Sequence, residues 1–119
     1  MREVAEDRRR YSRTEISIPL KYKNLRNVGK PPLGSLTKDI SEGGVRFKTN
    51  EFISLACRLV VEISLPANPK PVKAISKVAW IKKIPAGDYY ELGNQFLEIT
   101  KEDRSRIIDF VSRAANSNV

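Results

Sequence analysis

Four of the six residues from Arg8 to Arg13 are arginine: Arg8, Arg9, Arg10 and Arg13. A guanidinium is a rigid fork that places two parallel hydrogen bonds on a phosphate or on the O6 and N7 acceptors of guanine, and its plane can stack on a purine. Lysine and arginine are equally frequent over the whole chain. Arginine at all four positions therefore favours recognition over bulk charge, the competing reading being a solvated basic leader.

A second cluster, Asp39-Ile40-Ser41-Glu42-Gly43-Gly44, combines a carboxylate and a hydroxyl two residues apart with a glycine pair. In an extended chain Asp39 and Ser41 share one face. A carboxylate only accepts, which suits the N1 and N2 donors of a guanine edge, whereas a hydroxyl donates or accepts. Gly44 can adopt positive φ or let a ligand approach the backbone. The alternative is a hairpin turn whose side chains satisfy only local amides.

The chemistry open to the chain is bounded by what it lacks. It has 119 residues, no histidine and one cysteine, Cys57, which excludes a Ser-His-Asp triad, a Cys-His dyad, a Cys/His zinc site and an internal disulfide. Asp39 and Glu42 form no recognisable acid/base pair, so an enzyme is not expected. A formal charge of +8 points to a polyanionic or phosphate-bearing partner. No apolar run reaches the roughly 18 to 20 residues that span a bilayer, and the first residues lack a signal-peptide core. The expectation is a cytoplasmic, reduced protein with one domain and no cofactor.

The elements that must position these residues are mainly strands. Residues 1–13 hold almost nothing apolar and read as a flexible, ligand-binding leader ahead of a domain over 14–119. From Thr14 the pattern alternates, with Ile16, Ile18, Leu20 and Tyr22 on one face, and Pro19 is expected at an edge or bulge. Residues 24–34 are rich in Asn, Gly and Pro and read as a loop. Short strands at 35–40 and 45–49 flank the polar turn, and 57–65 alternates through Cys57, Leu59, Val61, Ile63 and Leu65. Residues 72–84 and a stretch from Tyr90 complete five or six strands. Ile107, Phe110, Val111 and Ala114 recur at helical spacing, predicting a helix over about 101–115 with Thr100 as N-cap and Arg113 near its far end. Successive strands closed by one amphipathic helix predict a six-stranded antiparallel barrel whose open end the helix covers.

Taken together, the two clusters resemble a known family. Arg9-Arg10-Tyr11-Ser12-Arg13 matches the RxxxR signature of PilZ domains, and Asp39 to Gly44 matches their [DN]xSxxG signature. Gly93-Asn94-Gln95-Phe96 on the last strand is similar as well, and the likeness extends from about Glu6 to Ala115. The resemblance implies a PilZ-type barrel that is a receptor for the bacterial second messenger cyclic di-GMP, without catalysis. By the same resemblance, Arg9 and Arg13 hold phosphates and guanine Hoogsteen edges from a leader that folds over the barrel. Asp39 and Ser41 contact a guanine, and Gly44, beside Gly43, keeps the turn open. Arg10 belongs to the same segment. Arg8 stands where the family's choice between one ligand and two mutually stacked ligands is influenced, and arginine there resembles the two-molecule arrangement. A single-domain adaptor passing its signal to a downstream protein is implied.

Two rival functions use the same fold: a basic barrel binding single-stranded nucleic acid, and a ligand-independent PilZ-fold interaction module. With nine aromatics, mostly at strand-core positions, the nucleic-acid account is the weaker, and the intact signatures disfavour the other. Trp80 is read as strand packing outside the site. The lysines at 70, 73, 77, 82 and 83 are read as protection of sheet edges, Cys57 as a buried inert thiol, and Tyr89 and Tyr90 as anchors of the last strand.

Overall fold

A computed structural model describes residues 13–27 and 29–117. The alternation from Thr14 holds: Thr14, Ile18, Leu20 and Tyr22 are buried and Ile16 is half-buried. The segment is nevertheless two strands, β1 (Thr14–Glu15) and β2 (Pro19–Asn24). The side chain of Thr37 causes the break. Its hydroxyl donates to the Ile16 carbonyl at 2.5 Å and accepts from the Ile18 amide at 2.9 Å, standing in for a ladder bond. Pro19 follows, with no N–H to offer. It opens a strand that has neighbours on both sides, so the edge or bulge expected for it is replaced by a first-residue position.

Next come β3 (Leu33–Ser41), β4 (Gly44–Thr49), β5 (Arg58–Ile63), β6 (Val72–Ile84) and β7 (Tyr89–Ile99). The expected loop thus ends earlier than Gly34, which pairs with Lys21. Every pairing is antiparallel, in the order β1-β3-β2-β5-β6-β7-β4, and β4 also pairs with β3. Six strands therefore close a barrel, and β1 is a seventh laid on the far half of β3. The barrel is filled by Ile18, Leu20, Ile40, Phe47, Val61, Ile63 and Leu92, among others, all nearly inaccessible. Each such side chain contributes about 1.5–3 kcal/mol relative to exposure.

Helix α1 (Lys101–Ser117) packs Ile107 and Val111 into the core against β3, β6 and β1. Thr100 is its N-cap, accepting the Asp103 amide at 3.1 Å. Asp103 in turn accepts the Lys73 amide at 3.2 Å, which ties the first turn to β6. The helix runs past residue 115, so Arg113 lies before its last turn and pairs with Asp109 at 3.2 Å. Cys57 precedes β5 and is half-buried, in contrast to the buried thiol expected; its sulfur accepts from Asn24 Nδ2 at 3.0 Å.

Candidate functional site

Ile40 points into the barrel, so its neighbours Asp39 and Ser41 point out. Across the sheet Asp39 is the register partner of Arg46, Arg46 of Gly93, and Gly93 of Trp80. These four residues form one row on the outer face of β3, β4, β7 and β6. On the other side of β3, Thr14 pairs with Ile40 and Glu15 with Asp39, which delivers Arg13 to the same place.

Asp39 is 1% exposed although it faces outward, because two guanidiniums cover it. Arg13 Nη1 donates to Oδ1 at 2.8 Å and Arg46 Nη2 donates to Oδ2. The arginine side chains are 41% and 28% exposed, so they stand between the carboxylate and solvent. Two guanidiniums against one carboxylate leave the wall with excess positive charge. Arg46 Nε and Asn94 Nδ2 are buried with no hydrogen-bond partner among the described residues. Asn94 Oδ1 accepts from the Ser76 hydroxyl at 3.3 Å.

The Ser41 hydroxyl works within its own turn, accepting the Gly43 amide at 3.2 Å. The Gly43 carbonyl accepts the Phe96 amide at 2.9 Å, pinning the turn to β7. Gly44 does not take the positive φ that was one of the two roles read for it. Positive φ occurs at Gly29 and Gly87, whereas Gly44 is needed for close packing: a Cβ there would lie 2.0 Å from the Asn94 carbonyl oxygen. Arg13, Asp39, Ser41 and Gly43 line a cavity of about 460 Å³, together with Arg46, Trp80, Gly93, Asn94 and Gln95; Gly44 does not line it. Arg8, Arg9 and Arg10 lie outside the described residues, as does most of the expected 1–13 leader.

Trp80, which the sequence reading kept out of the site, lines the same cavity. Val72, Ala74, Ser76 and Val78 point inward, and strict alternation would put Trp80 inside as well. A register shift between Val78 and Trp80 inserts one extra residue and turns the indole outward, where it is 39% exposed. The similarity at Gly93 was the sequence signal that could have located this wall; Arg46 carried none. The assembled set offers forked cationic donors, a carboxylate acceptor and an indole plane, which suits an anion carrying flat rings. Among the described residues, no three His, Cys, Asp or Glu side chains could hold a metal ion, and no helix is long and apolar enough to cross a membrane.

A family model described as PilZ domain matches residues 7–113. No curated protein sequence matches the chain. Among solved structures, the Bacillus subtilis inhibitor of motility MotI/DgrA superposes with a TM-score of 0.77 at 17% identity, over 91% of this chain and 51% of that one. The PilZ domain of YcgR from Escherichia coli, solved with c-di-GMP, gives 0.69 at 18% identity over 93% and 96%. The K. pneumonia MrkH–c-di-GMP complex gives 0.69 at 18% identity over 92% and 52%. The chain thus spans about half the length of MotI and of MrkH.

Proposed function

This chain belongs to the PilZ domain family, and from that membership we propose that it is a receptor for cyclic di-GMP. The observation that supports this reading best is the meeting of Arg13 and Asp39, the last arginine of RxxxR and the first residue of DxSxxG, at 2.8 Å in the wall of one cavity. The similarity to two structures solved with c-di-GMP supports the choice of ligand.

In this reading the phosphates draw Arg13 away from Asp39, and Arg9 joins it on the ligand with Arg10 alongside. The freed Asp39 oxygen then accepts from a guanine edge, Ser41 and the Gly43 backbone border that base, and Gly44 holds the turn against β7. Trp80 supplies a face for stacking. Arg8 adds the second, stacked ligand. The leader 1–13 folds onto the barrel domain 14–119, and the altered surface is read by a downstream protein. If the leader is unordered in the free protein, fixing it costs about 1–2 kcal/mol per residue, and several charge-assisted hydrogen bonds of about 1.5–3 kcal/mol must form together to offset that.

Trp80 is the only tryptophan, so the site reports on itself. A fluorescence titration with cyclic di-GMP should give a saturable change that Asp39→Ala removes. A signal unaffected by that substitution would place the ligand elsewhere.

A further inference from the structure

The barrel end opposite the Ser41 to Gly44 turn carries a second concave surface, where the β2–β3, β4–β5 and β6–β7 connections converge. Two adjoining hollows of about 560 and 640 Å³ share Tyr22 and Leu33 as walls. Neither shares a residue with the cavity around Asp39. Their floor is rigid, because buried Tyr22 and Thr49 are joined hydroxyl to hydroxyl at 2.5 Å. Of nine exposed large hydrophobics among the described residues, four line these hollows: Leu33, Leu36, Phe52 and Tyr89. Scattered singly such residues need no explanation; grouped around a hollow they mark a contact surface. Phe52 is 63% exposed yet braced edge-on against Tyr90 at 5.6 Å, and Lys83 lies 5.6 Å over the same Tyr90 ring.

Charge identifies the occupant. Lys23 and Lys30 line one hollow and Lys48 the other, against a single acid, Glu51. Among the described residues none of these three lysines is in an ion pair. A flat lipid surface would rest on the rim and leave the hollows unfilled, whereas a protein segment can seat a side chain in each. We infer that this end of the barrel docks an acidic segment of a partner protein, which inserts large apolar side chains into the hollows and sets its carboxylates against Lys23, Lys30 and Lys48. The lysine fringe steers the approach and the hollows provide the anchorage.

The test is selection of random phage-displayed peptides on the immobilised full chain, followed by mapping of the selected peptides on the isotope-labelled protein by NMR. The expected peptides are rich in Asp and Glu around Leu, Phe or Trp. They should shift the signals of Leu33, Lys48, Phe52 and Tyr89, and bind about tenfold more weakly to Lys30→Glu/Lys48→Glu. Because both lysines are exposed, the variant should melt with the parent; if it does not, the NMR map on the parent chain decides alone. Peptides without acidic bias, shifts elsewhere, no enrichment, or binding of phosphatidylglycerol vesicles in place of peptides would each overturn the inference.

Discussion

Trp80 lies so close against Gly93 that a Cβ on the glycine would come within 2.2 Å of the indole Cε2 and Nε1. The indole is held over a residue with no side chain, with its other surroundings open to the cavity around Asp39. Gly93→Ala has to push the ring aside. Because the indole is partly exposed and can swing outward, stability should fall by about 1 kcal/mol or less, at the low end for overpacking. Ligand affinity should fall more steeply, and the fluorescence of Trp80 should change without ligand. Comparing the melting curve, emission spectrum and titration of this variant separates the three effects.

Gly44→Ala should behave in the opposite way. Its Cβ would meet the Asn94 backbone, which cannot rotate aside. The β4–β7 ladder must shift, at about 1–3 kcal/mol. Denaturant unfolding should show the midpoint falling, and this loss should exceed that of Gly93→Ala.

Arg9→Ala and Arg13→Ala should remove measurable binding while leaving the fold intact. For Arg13 the exposed side of its ion pair with Asp39 is screened by water, so its loss should cost about 1 kcal/mol or less. Calorimetric titration together with thermal melting checks both halves of this expectation. A collapse of stability without ligand would contradict the division between binding and folding roles.

Asp39→Ala removes both the charge and the acceptor oxygens of the side chain. Both guanidiniums lose a charged acceptor, and because each is partly solvated the stability loss should be about 1–2 kcal/mol. Binding of a guanine-bearing ligand should weaken about 100-fold, roughly 2.7 kcal/mol. Nucleic-acid binding by bulk charge would not need Asp39 and would fall steeply with salt.

Burial raises the Tyr22 hydroxyl above its ordinary pKa of 10.0, with the Glu51 charge adding to the rise and the Thr49 hydrogen bond opposing it. A raised folded-state value means that the native chain holds this proton more tightly than the unfolded chain. The contribution is whole below pH 10.0 and is lost as pH rises through the folded-state value. Tyr22→Phe should therefore lose less stability than the parent when unfolding is repeated at increasing alkaline pH.

Strands and helix were readable from the chain because alternation, turn residues and the Thr100 cap are local signals. The meeting of Arg13 with Asp39 was implied by two sequence clusters that β1 and β3 bring into register. The far wall was hidden for physical reasons. A single inserted residue before Trp80 reverses its face, and nothing in the composition of 72–84 announces it. Arg46 looks like any outward charge on a strand until its partner across the ladder is known to be Asp39. Gly44 shows the converse: a glycine in a polar turn suggests an unusual backbone, yet the constraint comes from Asn94 on a strand distant in sequence.

Isothermal titration of the protein with cyclic di-GMP at moderate salt, with cyclic di-AMP and GTP as controls, decides whether the Arg13 and Asp39 cavity binds the messenger. Saturable binding selective for cyclic di-GMP is expected, with two ligands per chain from the role proposed for Arg8; one ligand per chain would keep the receptor and remove that role. No binding heat by any of the three, or equal binding of cyclic di-AMP, would contradict the claim that the Arg13 and Asp39 cavity is a cyclic di-GMP site.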